Sequence, residues 1–188
     1  MAQIESTNEL ENALTQLRDP DWNIRHTAAR DLIEIGQPAV EPLILLLEEE
    51  DSFLRGQAAV CLGRIADPSA IAPLIERFND SYPAVREEAV RAVGFIGAEA
   101  VEPLMGKINH KVSFVRKCAI QALAAIQDAS ARDALQKIAD DMDVYPAVRW
   151  EAKLAVNRFR EGDQKPVHTS DQYRNTAYHV PTIISRKP

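Results

Sequence analysis

Five arginines recur along the chain at intervals of 30, 31, 30 and 33 residues: Arg25, Arg55, Arg86, Arg116 and Arg149. Five guanidinium groups in register could hold an anionic ligand through charge-assisted hydrogen bonds. Metal ligation is a second possible chemistry, and it would need several ligating side chains held together. His26 stands alone beside Thr27, and His110 falls in a turn segment. One imidazole does not assemble a metal site. Cys61 and Cys118 lie far apart and outside any C-x-x-C pair, so they read as buried thiols, with neither a disulfide nor a zinc knuckle implied. No G-x-S-x-G, P-loop or G-x-G-x-x-G sequence occurs, so hydrolase and nucleotide chemistry have no support. The expectation is a protein without catalytic residues, cofactor or metal.

The elements that carry the arginines follow from their surroundings. An apolar residue precedes each one: Ile24, Leu54, Val85, Val115 and Val148. Three positions after it comes alanine every time, at 28, 58, 89, 119 and 152. Seven after it stands Leu32, Leu62, Val93, Leu123 or Val156, and ten after it Ile35, Ile65, Ile96, Ile126 or Phe159. Offsets of −1, +3, +7 and +10 trace one stripe of an α-helix, and the invariant alanine lets a neighbouring helix approach closely. Ahead of each such helix lies a shorter apolar segment, "AVEPLILLL" from Ala39, "AIAPLIERF" from Ala70 and "AVEPLMGKI" from Ala100. Pro42, Pro73 and Pro103 suit a first helical turn, where no N–H is needed. The outer copies, from Leu10 and Ser130, are looser. Turn residues separate the two helices of a unit, and Gly36 and Gly97 suggest left-handed caps. Ser6 and Glu9 have capping-box spacing at the start of the first helix.

The spacing thus predicts helical hairpins of about 30 residues in five copies, all-α, over residues 7–36, 37–66, 67–97, 98–127 and 128–160, in one repeat region of residues 1–160. The pattern "A-V-E-P-L-I…V-R-x-x-A-x-x-x-L-G-x-I-G" resembles HEAT repeats. It is more closely similar to the short HEAT-like repeats first named from phycobilisome (bilin) lyases. The resemblance implies a right-handed α-solenoid, with first helices convex and second helices lining a concave groove. Function is less determined by it, since repeats of this kind occur in lyase subunits, scaffolds, adaptors and enzymes. Deoxyhypusine hydroxylases also resemble the array, but their His-Glu pairs for a di-iron centre are missing here. HEAT-like DNA glycosylases need a basic groove, whereas residues 1–160 carry 18 Lys/Arg against 25 Asp/Glu. The arginine column itself reads as structural: stems covering the apolar stripe, heads paired with turn carboxylates such as Asp21 and Asp51, four residues before Arg25 and Arg55.

With the stripe inward, positions +1, +5 and +9 after each arginine face away from the core. Read through the array, they supply a candidate partner surface: Arg30, Glu87, Arg91, Phe95, Lys117, Gln121, Trp150 and Arg158. The near-repeat of "YPAVREEA" from Tyr82 as "YPAVRWEA" from Tyr145 turns Glu87 into Trp150 at one of these positions. Tryptophan there is a candidate interface anchor or the floor of a local cap. The leading expectation is a non-catalytic scaffold or adaptor holding another protein in its groove. The alternative is a bilin lyase or lyase-like subunit. Its resemblance implies a second HEAT-repeat subunit and transfer of a linear tetrapyrrole to a client's cysteine. The pigment would need cations for its propionates and a carboxylate near its pyrrole nitrogens, which Arg30, Arg91, Lys117 and Glu87 could supply. A third reading, assembly chemistry through Cys61 and Cys118, ranks below both.

A net charge of −6 argues against nucleic acid and anionic lipid as partners. The opening residues lack a signal-peptide pattern and no apolar run is long enough to cross a bilayer, so a cytoplasmic protein is expected. From residue 161 the periodicity ends. Residues 161–188 read as an irregular tail whose apolar piece, Tyr178–Ile184, either folds back over the last hairpin or docks on another chain.

Overall fold

In the computed structural model the structure describes residues 2–162, with side-chain surroundings for residues 8–159. The expected role of Tyr178–Ile184 lies outside the described residues. Ten α-helices occupy those residues: α1 (Ala2–Gln16), α2 (Trp22–Ile35), α3 (Val40–Leu46), α4 (Ser52–Ile65), α5 (Ile71–Glu76), α6 (Pro83–Ile96), α7 (Val101–Met105), α8 (Ser113–Ile126), α9 (Ala129–Asp140) and α10 (Pro146–Gly162). Each odd-numbered helix packs on the even-numbered helix after it, and α2, α4, α6, α8 and α10 stack in series. The result is a two-layered α-solenoid with one continuous core.

Local chemistry explains these boundaries. Asp21, Asp51 and Asp128 cap α2, α4 and α9, each carboxylate accepting from the N–H two residues on at 2.8 Å. The middle first helices are short, and each is entered through a 3₁₀ turn at Gln37–Ala39, Pro68–Ala70 or Ala98–Ala100. Pro42, Pro73 and Pro103 then fall third in α3, α5 and α7, among N–H groups that have no intrahelical partner. Two expectations need correction. α1 begins at Ala2, so Ser6 lies inside the helix rather than at its cap. Gly36 (φ 72°, ψ −130°) and Gly97 (φ 96°, ψ −141°) have positive φ but are not in the left-handed helical conformation.

That conformation falls instead to Ala66 (φ 58°, ψ 36°) and Gln127 (φ 50°, ψ 33°). A Cβ is unfavourable there by roughly 1–2 kcal/mol, partly offset by glycine's greater freedom in the unfolded chain. Ala66→Gly is therefore expected to stabilise the protein by about 0.5–1 kcal/mol, raising Tm by roughly 1–4 °C in thermal melts.

The inward stripe follows the sequence pattern. The five alanines are fully buried, as are Leu32, Leu62, Val93 and Leu123, with Val156 nearly so. Ile24 departs from it and is exposed, because no earlier hairpin turn covers the start of α2. Small residues set the spacing between hairpins. The Cys61 Sγ–H donates to the Ala29 carbonyl of the preceding hairpin at 3.7 Å, and a Cβ added at Gly63 would lie 2.5 Å from Ala92 Cα. Gly63→Ala should destabilise by roughly 1–3 kcal/mol through overpacking, read as a lower denaturant midpoint at unchanged m-value.

These contacts assign faces. Offsets +4 and +8 stack forward onto the next second helix, and offset +6 faces back. At the forward positions the inner helices carry Ala59 and Gly63, Val90 and Gly94, or Ile120 and Ala124, whereas α10 carries exposed Lys153 and Asn157. At the backward position Cys61, Ala92, Ala122 and Ala155 give way to Asp31 in α2. Both ends of the second-helix stack thus carry polar cover of their own, as a finite repeat array requires.

Candidate partner-binding groove

The arginine column was the first candidate for ligand chemistry, and its geometry is that of a clasp. Arg25, Arg55, Arg86 and Arg116 each turn Nη1 back to donate to the carbonyls six and five residues earlier, at 2.6–3.3 Å. These carbonyls belong to the turn inside the hairpin and have no helical partner. The guanidinium carbon lies over an aromatic ring of the next hairpin: Arg25 over Phe53 and Arg86 over Phe114, both 4.6 Å from the ring centroid. Arg55 lies over Tyr82 at 5.6 Å and Arg116 over Tyr145 at 4.6 Å. One side chain therefore ties a turn to the hairpin that follows it. The duplicated phrase is explained by this clasp, since Tyr82 and Tyr145 are the rings that receive Arg55 and Arg116.

The expected partners of the arginine heads are corrected here. Asp21 and Asp51 spend their carboxylates on helix caps, and backbone carbonyls take the guanidinium groups. Arg55 alone among the described column also holds a carboxylate, that of Asp80 in the next hairpin, through Nε at 2.7 Å and Nη2 at 2.9 Å. The pair is buried, with side chains 9% and 4% exposed. Burial alone would push the Asp80 carboxyl up; the hydrogen bonds from Arg55 and the Tyr82 N–H, with the charges of Arg55 and Arg77, outweigh it and hold the carboxyl low.

The outward columns lie on the opposite side of the second helices from the alanine stripe. Arg30 on α2, Glu87, Arg91 and Phe95 on α6, Lys117 and Gln121 on α8, and Trp150 and Arg158 on α10 are all exposed. Arg30 and Trp150 are four helices apart along the stack. Several charges are already engaged within the face. Arg30 lies 3.8 Å from Asp31 and 3.9 Å from Glu34, Arg91 pairs with Glu88, and Arg64 places its guanidinium 5.2 Å from the Phe95 ring. His26 stacks on Trp22 at 5.0 Å. Trp150 is 64% exposed, with Leu154 one turn further along α10. Leu154 and Arg64 extend the predicted set, and both were marked by the same +5 and +9 offsets.

The thiols offer no reactive group. Burial pushes Cys61 up to about 12, and Cys118, also buried, is raised by the same cause. Among the described residues no cluster of three or more His, Cys, Asp or Glu is placed to hold a metal ion, and no helix is long and apolar enough to cross a membrane.

Stacked hairpins with this stripe and this clasp define a class, and the chain belongs to the HEAT-repeat family: the family profile matches residues 10–94 and 71–157. Within it, the chain is similar to an uncharacterized phycocyanin operon protein Z of Pseudanabaena tenuis, at 29% identity over 161 residues covering 80% of each chain. It is 35% identical over 121 residues to the phycocyanobilin lyase subunit alpha of Synechococcus elongatus, covering 56% of this chain and 44% of that subunit. The chain thus matches less than half the length of that lyase subunit. A solved complex of CpcE and CpcF of phycocyanin lyase from Nostoc shares the fold, with a TM-score of 0.55 and 21% identity over 79% of this chain and 98% of that one. The protein is a HEAT-repeat solenoid related to phycobilin lyase subunits.

Proposed function

We propose that the protein is a non-catalytic docking module that holds a protein partner against the exposed face of α6, α8 and α10. The observation that carries this reading is the Trp150–Leu154 pair: two large apolar side chains exposed one turn apart on a helix whose other face is packed. Such an anchor on preformed helices binds with little loss of ordering entropy. Lys117, Gln121, Arg91 and Arg158 supply a polar rim, and Phe95 under Arg64 a second flat contact. The relatives' names make a phycocyanin subunit the first partner to try. Titrating purified apo-phycocyanin subunits into the protein and reading binding heat tests it. Saturable binding that Trp150→Ala weakens supports the groove, whereas undiminished binding by that variant moves the site elsewhere.

Handling of a linear tetrapyrrole is the second reading, favoured by the likeness to a phycocyanobilin lyase subunit. Here the protein would present the pigment to a thiol on the client, because its own Cys61 and Cys118 are buried and protonated at neutral pH. Arg30, Arg91 and Lys117 would meet propionates and Glu87 the pyrrole nitrogens. Mixing the protein with phycocyanobilin, with and without a client subunit, should shift and sharpen the visible spectrum. An unchanged spectrum leaves the docking role alone.

A further inference from the structure

Four arginines of the column are covered by a ring from the hairpin that follows, and the fifth has no hairpin after it. Phe53, Tyr82, Phe114 and Tyr145 stand 28, 27, 28 and 29 residues beyond the arginines they meet. Among the described residues no ring lies over Arg149. Its Nη1 points at the thioether of Met142, a weak acceptor, where the other four arginines hold turn carbonyls. The same interval counted from Arg149 ends on Tyr178, 29 residues on, as Tyr145 is from Arg116. We infer that Tyr178 is the ring of the fifth clasp, so that the Arg149 guanidinium at the start of α10 is a docking site for the C-terminal segment of this chain.

Reach and surroundings suit that occupant. Gly162 lies about 20 Å along α10 from Arg149, at about 1.5 Å per residue. The 16 residues from Gly162 to Tyr178 span up to about 50 Å when extended, so the ring returns to Arg149 with α10 intact. Tyr173, 24 residues after Arg149, falls outside the interval that the four observed rings keep. A further hairpin, from a second copy or another protein, is a poorer source of the ring. Each observed ring arrives with a second helix stacked forward at offsets +4 and +8, and there α10 carries exposed Lys153 and Asn157. A segment that brings a ring without a helix does not meet that obstacle. Val180, Ile183 and Ile184 follow the tyrosine, and Met142, 79% exposed beside Arg149, gives them an apolar neighbour. A guanidinium–ring contact at an exposed site is weak alone, but the chain itself supplies this ring at high effective concentration. The site does not depend on the groove reading above.

The test is NMR of the full chain labelled with ¹⁵N-arginine, following the Nε–H signals. The Arg149 signal, identified by its loss in Arg149→Lys, should be displaced upfield by the ring current of Tyr178. Tyr178→Leu should abolish that displacement, Tyr178→Phe should keep it, and Tyr173→Leu should leave it unchanged. Labelled Tyr178→Leu mixed with unlabelled wild-type chain should stay undisplaced, because the ring comes from the same chain. An Arg149 signal that is the same in wild type and Tyr178→Leu overturns the inference. So does a displacement that Tyr173→Leu removes, or one that the unlabelled wild-type chain restores, which would make the occupant a second copy.

Discussion

Asp80→Ala is expected to destabilise the protein by about 3–5 kcal/mol, lowering Tm by roughly 6–20 °C. The magnitude comes from what is left behind rather than from the ion pair itself. Arg55 stays buried, still tied to the Glu49 and Glu50 carbonyls, with its Nε and Nη2 donors and its charge uncompensated. Asp80 also accepts from the Tyr82 N–H at 2.9 Å, so the turn leading into α6 loses a hydrogen bond at the same time. Replacing both partners by apolar residues, Arg55→Met with Asp80→Leu, should recover the part of the loss due to the unpaired charge, while the hydrogen bonds to the Glu49 and Glu50 carbonyls and from the Tyr82 N–H stay lost. Urea melts of the single and double variants give the comparison. The pH dependence carries a definite sign. Since the folded Asp80 carboxyl lies below its unfolded value of about 3.9, the pair's contribution is fully present above that value and fades as pH falls through the lowered one. Wild-type stability should therefore drop at acid pH more steeply than that of the double variant.

The second large effect concerns binding. Trp150→Ala should weaken partner affinity by about 2 kcal/mol or more, a loss of roughly thirtyfold, as truncating a central aromatic anchor does. Stability should change by no more than about 0.5 kcal/mol, because Trp150 is 64% exposed and the core beneath it is filled by Ala152 and Val156. Affinity and stability thus separate cleanly at this residue. Leu154→Ala is expected to act in the same direction with a smaller effect. Calorimetric titration beside a thermal melt of each variant separates the two quantities.

Much of the fold was legible because a packed helix imposes a period. The −1, +3 and +7 offsets mark side chains that must be small or apolar, and the alanine column can tolerate little else where helices meet closely. What the arginines hold was not legible, since their partners are backbone carbonyls, which leave no trace in side-chain identity. Their rings were hidden for another reason: Phe53 and Phe114 stand two residues before the next arginine, Tyr82 and Tyr145 four before it, so no fixed column appears. The polar ends of the stack were visible in Asp31, Lys153 and Asn157, yet recognising them required knowing which offset faces which neighbour. The groove lies at the other extreme. An outward position obeys no packing rule, so its residues report a use only where they depart from what solvent favours, as Trp150 does.

A single ¹⁹F probe tests the groove most directly. The chain has two tryptophans, so Trp22→Phe with 5-fluorotryptophan labelling leaves Trp150 as the one reporter, and an unlabelled partner adds no signal. On saturation with the partner, the Trp150 resonance should shift and lose its sensitivity to exchange of H₂O for D₂O, as a ring withdrawn from water must. Full binding with an unmoved, still solvent-sensitive resonance would place the contact surface away from α10 and contradict the docking role assigned to this face.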